Sequence, residues 1–148
     1  MKTELVKDWM TPNPICASPD MPLPDAHELM KHQHIRRLPV VDKHGKLVGI
    51  VTRGDIRGAE PSEATSLSIY EVHYLLGRLT LDRIMTRNPV TVRPNTTLQE
   101  AAYLMLRHKI AGLPVMDGGH VVGILTESDL FRLVVKMWEK EEQGVPAH

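Results

Sequence analysis

Apolar and polar positions follow two rhythms along this chain, and both rhythms are written twice. In the second half, Leu98, Ala101, Ala102 and Met105 recur at helical spacing, which predicts a helix over about Thr97 to Arg107 with one buried face. Thr97 with Glu100 three residues later has the form of a capping box. Leu113 to Met116 and Val121 to Leu125 are apolar runs that do not alternate, so they read as strands buried on both faces, joined by the tight turn Asp117-Gly118-Gly119. Val90-Thr91-Val92 reads as a short strand ahead of Pro94-Asn95, and a last helix begins near Glu127 with Leu130, Leu133, Val134 and Met137 inward.

The first half keeps the same order. A β run near Ile15-Cys16-Ala17 precedes a helix from about Pro24, with Leu23, Ala26 and Met30 inward. Leu38 to Val41, the turn Asp42-Lys43-His44-Gly45 and Leu47 to Val51 form the hairpin. Its closing helix is expected to be short, because Gly54 and Gly58 flank it and Pro61 stops it. Between the halves, Gly58-Ala59-Glu60-Pro61-Ser62 reads as a loop, and Ser66 to Leu79 as a helix with Ile69, Val72, Leu76 and Leu79 on one stripe and Tyr70 and Tyr74 beside it.

The identities repeat as well as the rhythm. Met10-Thr11-Pro12-Asn13-Pro14 returns as Met85-Thr86-Arg87-Asn88-Pro89, and Ile35-Arg36-Arg37-Leu38-Pro39-Val40 as Ile110-Ala111-Gly112-Leu113-Pro114-Val115, an offset of 75; after one deletion Val48-Gly49-Ile50-Val51-Thr52 returns as Val122-Gly123-Ile124-Leu125-Thr126, an offset of 74. Two copies are too few for an open solenoid, which needs at least about three units. The expected fold is α/β (α+β): two tandem β-α-β-β-α repeats packed through their sheets about a pseudo-twofold axis, with two equivalent clefts between them as natural ligand sites. The boundaries read as repeat 1 over 1–60, a linker with helix over 61–79, repeat 2 over 80–140 and a polar tail over 141–148.

Charge and composition narrow the partners. Across 148 residues, Lys plus Arg equals Asp plus Glu at 18 each, so no global field draws the chain to nucleic acid or a membrane. The single cysteine, Cys16, excludes an intramolecular disulfide and fits a reducing, cytoplasmic setting; the first residues carry no apolar signal core and no stretch approaches a membrane span. With one Phe, two Trp and three Tyr, the core must be aliphatic.

The chemistry sits in two recurring elements. Both hairpins end in Thr-x-x-Asp, as Thr52 with Asp55 and Thr126 with Asp129. Threonine at the N-cap and a carboxylate in the first turn suit helix capping. The same groups also suit polyol recognition, since an ionised Asp accepts two hydrogen bonds from a vicinal diol such as that of ribose. The second element is Ile-x-x-Leu-Pro-Val, whose Pro39 and Pro114 remove an N–H and mark a sheet edge or bulge where a flat base could rest against Ile35 or Ile110. Here the copies differ. Repeat 1 carries Arg36-Arg37, suited to phosphate oxygens or simply to a solvated strand end, where repeat 2 carries Ala111-Gly112.

Taken together and in order, Asn-Pro-x-x-Val, Ile-x-x-Leu-Pro-Val, Val-Gly-Ile and Thr-x-x-Asp resemble the CBS domain, named for cystathionine β-synthase, which occurs in tandem pairs (the Bateman module). The resemblance covers about four-fifths of the chain. The linker Ser66-Leu67-Ser68-Ile69-Tyr70-Glu71-Val72 leading to Tyr74-Leu75-Leu76 resembles that of stand-alone acetoin-utilisation-type CBS proteins of bacteria. The resemblance implies clefts that bind adenosine ligands, commonly AMP, ADP or ATP and sometimes S-adenosylmethionine or NAD, with the Asp of Thr-x-x-Asp on the ribose and the base against the first strand and x-x-Leu-Pro segment of the opposite repeat. Carried over, one cleft combines Thr126, Ser128 and Asp129 with Asn13, Ile15, Ile35, Arg36, Arg37 and Pro39. The other combines Thr52, Arg53 and Asp55 with Asn88, Val90, Thr91, Ile110, Ala111, Gly112 and Pro114.

No catalytic constellation stands out, and none of the eight His residues has metal-ligand spacing with a partner: His27, His32 and His34 are not i,i+4 ligands, and His108 and His120 are lone candidates for a cleft rim. No metal is expected, and an enzyme is the weakest reading. The expectation is a regulatory adenosine-ligand module, a homodimer acting as an energy or metabolite sensor on a separate protein. The alternative is a structural dimerisation module with vestigial clefts.

Overall fold

The computed structural model describes residues 3–60 and 67–144. In chain order the elements are β1 (Thr11–Pro12), α1 (Leu23–Gln33), β2 (Arg37–Val41), β3 (Leu47–Thr52), α2 (Arg53–Ala59), α3 (Ile69–Arg78), β4 (Thr86–Arg87), α4 (Leu98–His108), β5 (Gly112–Asp117), β6 (His120–Thr126) and α5 (Glu127–Glu142), with 3₁₀ turns at Val6–Asp8 and Leu81–Arg83. The expected loop and helix start at Pro61, Ser62 and Ser66, and the end of the polar tail beyond Gly144, lie outside the described residues.

The hairpins form where the apolar runs predicted them, because a non-alternating aliphatic run can bury both faces only inside a covered sheet. Arg37 pairs with Thr52 and Leu38 with Val51 in one; Gly112 pairs with Thr126 and Leu113 with Leu125 in the other. Each carries a register shift after its buried valine, at Val40/Val41 and at Val115/Met116. Gly118 and Gly119 turn the second hairpin at φ 57 and 81, dihedrals that favour glycine. In the first, the Asp42 carboxylate accepts the N–H groups of His44 and Lys46 at 2.8 and 2.9 Å.

Two expected strands shrink. Ile15-Cys16-Ala17 and Val90-Thr91-Val92 contribute one parallel bridge each, Ala17 with Val40 and Val92 with Val115. Prolines bracket both segments, Pro14 and Pro19 in one and Pro89 and Pro94 in the other, and remove the donors a longer ladder needs.

Two strands were not foreseen. β1 pairs with β6 through Thr11–Ile124 and Pro12–Gly123, and β4 pairs with β3 through Thr86–Ile50 and Arg87–Gly49. At two residues each, they show no periodicity to read. The glycine of Val-Gly-Ile makes the approach possible: a Cβ on Gly49 would collide with the Met85 side chain, and one on Gly123 with that of Met10.

These short strands make the compact units cut across the repeats. A central unit is Ile15–Pro89, and a terminal unit joins Met1–Pro14 to Val90–His148. The central unit holds the sheet β2-β3-β4, the terminal unit β1-β6-β5. The central core is Leu23, Ala26, Met30, Leu38, Val40, Val51, Ile56 and Leu81 with Ala17; the terminal core is Val6, Val92, Leu98, Ala101, Met105, Leu113, Val115 and Leu125. Leu81 and Val6 are fully buried, and each reaches its core from the segment that leads into the other repeat. The Leu81 N–H donates to Met21 O at 3.0 Å, and the Val6 N–H to Thr96 O at 2.9 Å.

Candidate functional site

Antiparallel pairing decides which motif residues meet. The residue entering the first strand of a hairpin stands beside the residue leaving the second. So in the central unit the Arg53 N–H donates to the Arg36 carbonyl at 2.7 Å, next to the Arg37–Thr52 pair. In the terminal unit the Glu127 N–H donates to the Ala111 carbonyl at 3.0 Å, next to the Gly112–Thr126 pair. Each Thr-x-x-Asp therefore adjoins the x-x-Leu-Pro segment of its own repeat. Within each unit, Ile35, Arg36, Arg37 and Pro39 therefore stand in the same hairpin as Thr52, with Arg53 and Asp55 following it, and Ile110, Ala111, Gly112 and Pro114 stand likewise with Thr126, Ser128 and Asp129. The carboxylate beside the arginine pair is that of Asp55.

The remaining site residues divide the same way. Asn13 lies in the terminal unit with Val90 and Thr91, and Ile15 lies in the central unit with Asn88. Asn13 and Asn88 share a left-handed backbone, φ 50 and 49, a conformation asparagine tolerates better than most residues. The Asn13 N–H donates to the Val122 carbonyl at 3.1 Å. Pro39 and Pro114 are buried mid-strand, and their carbonyls accept the N–H groups of Ala17 and Val92 at 2.9 and 3.0 Å. Each proline faces a neighbour reduced to a single bridge, where its missing donor costs nothing.

The two carboxylates are engaged differently. Asp55 Oδ2 accepts the Thr52 N–H at 2.9 Å and Thr52 Oγ1 accepts the Asp55 N–H at 3.1 Å, a reciprocal capping box at the start of α2. Asp55 Oδ1 makes no hydrogen bond among the described residues. Asp129 Oδ2 likewise accepts the Thr126 N–H, at 2.8 Å, with the Thr126 hydroxyl 3.5 Å away. Its Oδ1 accepts from Arg132 Nη2, which also donates to the Trp9 carbonyl at 3.1 Å. Asp129 is 3% exposed, a buried carboxylate already neutralised. Capping is thus real at both motifs, and one Asp55 oxygen stays available for a ligand. Arg132 was missed in the sequence although its i+3 spacing from Asp129 is a helical neighbour distance.

An open recess of ≈ 280 Å³, solvent at its mouth included, lies in the central unit against α1 and α2. His27, Met30, Lys31, Ile35, Arg53 and Ile56 line it. Lys31 escaped the sequence reading, and His27 was weighed there only as a metal ligand, because both sit on a helix whose inward stripe, Leu23, Ala26 and Met30, drew attention to the other positions. Among the described residues, no three His, Cys, Asp or Glu side chains are grouped to hold a metal ion, and no helix is long and apolar enough to cross a membrane.

Comparison with known proteins gives this arrangement its family. The model of the CBS domain matches residues 6–62 and 81–136. The chain belongs to the CBS-domain family. It is 35% identical over 130 residues to the L-aspartate semialdehyde sulfurtransferase of Methanocaldococcus jannaschii; the match covers 87% of this chain but 23% of that enzyme, so the chain spans about a quarter of the enzyme's length. Among solved structures it resembles the CBS domain pair of protein MJ0100 in complex with 5′-methylthioadenosine and S-adenosyl-L-methionine (TM-score 0.76, 34% identity, 91% of this chain and 98% of that one). It also resembles the putative acetoin utilisation protein AcuB of Vibrio cholerae (TM-score 0.76, 33% identity, 98% and 100%). A third match is CBSX2 in complex with AMP (TM-score 0.73, 32% identity, 90% and 97%).

Proposed function

We propose that this chain is a regulatory module that binds an adenosine ligand of the AMP, ADP or ATP kind, with S-adenosylmethionine or NAD as further members of the class, and passes that state to a separate protein as an energy or metabolite signal. The observation that carries the reading is the duplicated Thr-x-x-Asp at a strand–helix junction, where Asp55 keeps one carboxylate oxygen for a ribose diol. The relatives whose structures are described with AMP, S-adenosyl-L-methionine and 5′-methylthioadenosine support it. In this reading Thr52, Arg53, Asp55, Ile15, Ile35, Arg36, Arg37, Pro39 and Asn88 serve one ligand, and Asn13, Val90, Thr91, Ile110, Ala111, Gly112, Pro114, Thr126, Ser128 and Asp129 a second. The module has no catalytic role of its own and works in the cytoplasm. Thermal melting against AMP, ADP, ATP, NAD and S-adenosylmethionine tests it: a ligand at 100 times its Kd adds about 2.7 kcal/mol. No shift with any of them overturns it.

A dimerisation role is the second reading, and exposed apolar side chains favour it. Phe131, Val135 and Trp138 share one side of α5, at 64, 47 and 61% exposed. Tyr70 and Tyr74 stand exposed on α3. We propose that these surfaces form an isologous homodimer, as two-fold association requires.

A further inference from the structure

The recess on α1 and α2 has a counterpart in repeat 2 whose floor is kept and whose charge is not. By the offset of 75 for α1 and the strand after it, and 74 for α2, the apolar floor Met30, Ile35 and Ile56 becomes Met105, Ile110 and Leu130. The rim His27, Lys31 and Arg53 becomes Ala102, Leu106 and Glu127. Two fixed cations and a histidine in one repeat are thus replaced by two neutral side chains and a carboxylate in the other.

The two fixed cations of the rim are not spent on internal ion pairs. Lys31 and Arg53 have no carboxylate partner among the described residues; His27 lies 3.5 Å from Glu60. Arg53 follows Thr52 directly and is two residues from Asp55. A second, independent difference points the same way. Arg132, which occupies Asp129 Oδ1, corresponds to Gly58, so repeat 1 has no side chain to fill the matching carboxylate.

We infer that the recess of the central unit is an anion subsite: Lys31 and Arg53, with His27 on the same lining, hold the phosphate of a phosphorylated sugar whose diol reaches Asp55, and repeat 2 offers no such subsite. The chain therefore takes one phosphorylated ligand, through repeat 1. This rests on the adenosine reading for the nucleoside but not for the phosphate, and the test separates them.

Isothermal calorimetry is run on the full chain with AMP, adenosine and ribose 5-phosphate, for the native protein, Lys31→Ala/Arg53→Ala and Leu106→Ala/Glu127→Ala. The expected result is one AMP per chain, a loss of at least about 30-fold in AMP affinity in the first double variant with adenosine changed less than about 3-fold, and no change in the second. The dependence of AMP binding on salt should flatten in the first variant. Undiminished AMP affinity in Lys31→Ala/Arg53→Ala, or an equal loss of AMP and adenosine, overturns the subsite. If the native chain binds neither AMP nor adenosine, the adenosine reading falls; ribose 5-phosphate binding that Lys31→Ala/Arg53→Ala abolishes then still upholds the subsite, and its absence overturns both.

Discussion

Asp55 and Asp129 stand at equivalent positions and carry different loads. Replacing Asp55 by Ala removes half of a capping box, worth about 0.5–2 kcal/mol, and removes the diol acceptor. Replacing Asp129 leaves the Thr126 N–H without its acceptor at a buried position, at about 1–3 kcal/mol, while the mostly exposed Arg132 is released to solvent. The expected outcome is a split: Asp129→Ala lowers the melting temperature more, while Asp55→Ala abolishes the AMP-dependent rise. Calorimetry and melting on the same two variants check it, and equal loss of ligand binding in both contradicts the assignment. At Cys16, partial burial raises the thiol above its ordinary range. Its reaction with a disulfide reagent should be slow at neutral pH and climb only well into the alkaline range; fast labelling at pH 7 would contradict this.

At the scale of elements, the hairpins and their glycines organise each unit. Gly123→Ala drives a methyl into Met10 and should destabilise by about 1–3 kcal/mol, with Gly49→Ala similar through Met85; chemical denaturation reads both. In the β2–β3 turn, the Lys46 and then the His44 N–H hold the Asp42 carboxyl below its ordinary range. A carboxyl lowered in the folded state stabilises above its unfolded pKa, and that contribution is lost as pH falls through the folded value. Asp42→Ala should therefore be less stable than the native chain at neutral pH, and the gap should close in acid. The helices divide by role: α2 stops after seven residues, whereas α5 runs for 16 and carries the exposed Phe131 and Trp138.

For the whole molecule, the exchange of leading segments has a direct consequence. A fragment of residues 1–79 lacks Leu81 and β4, whereas residues 15–89 contain every element of the central unit. Circular dichroism should show a cooperative melt for 15–89 and none for 1–79, although 1–79 keeps the whole first repeat as the sequence divides it. A cooperative melt of 1–79 would contradict the unit boundaries. Light scattering should report a dimer at micromolar concentration, and Phe131→Glu with Trp138→Glu should shift it to monomer if α5 is the contact.

Local patterning was enough to read the duplicated order of helix, hairpin and helix and the positions of both Thr-x-x-Asp motifs. Aliphatic periodicity and turn chemistry act between near neighbours, and Leu23, Ala26 and Met30 or Leu98, Ala101 and Met105 are buried as their spacing demands. Three things needed the tertiary structure. The two-residue strands β1 and β4 depend on a partner more than 30 residues away along the chain, and no window of sequence contains both. The grouping of Arg36 with Asp55 follows from hairpin register, since strand ends meet their own return strand before any other. Whether a carboxylate is free or already held, as Asp55 and Asp129 differ, depends on where one long side chain turns, and only packing decides that.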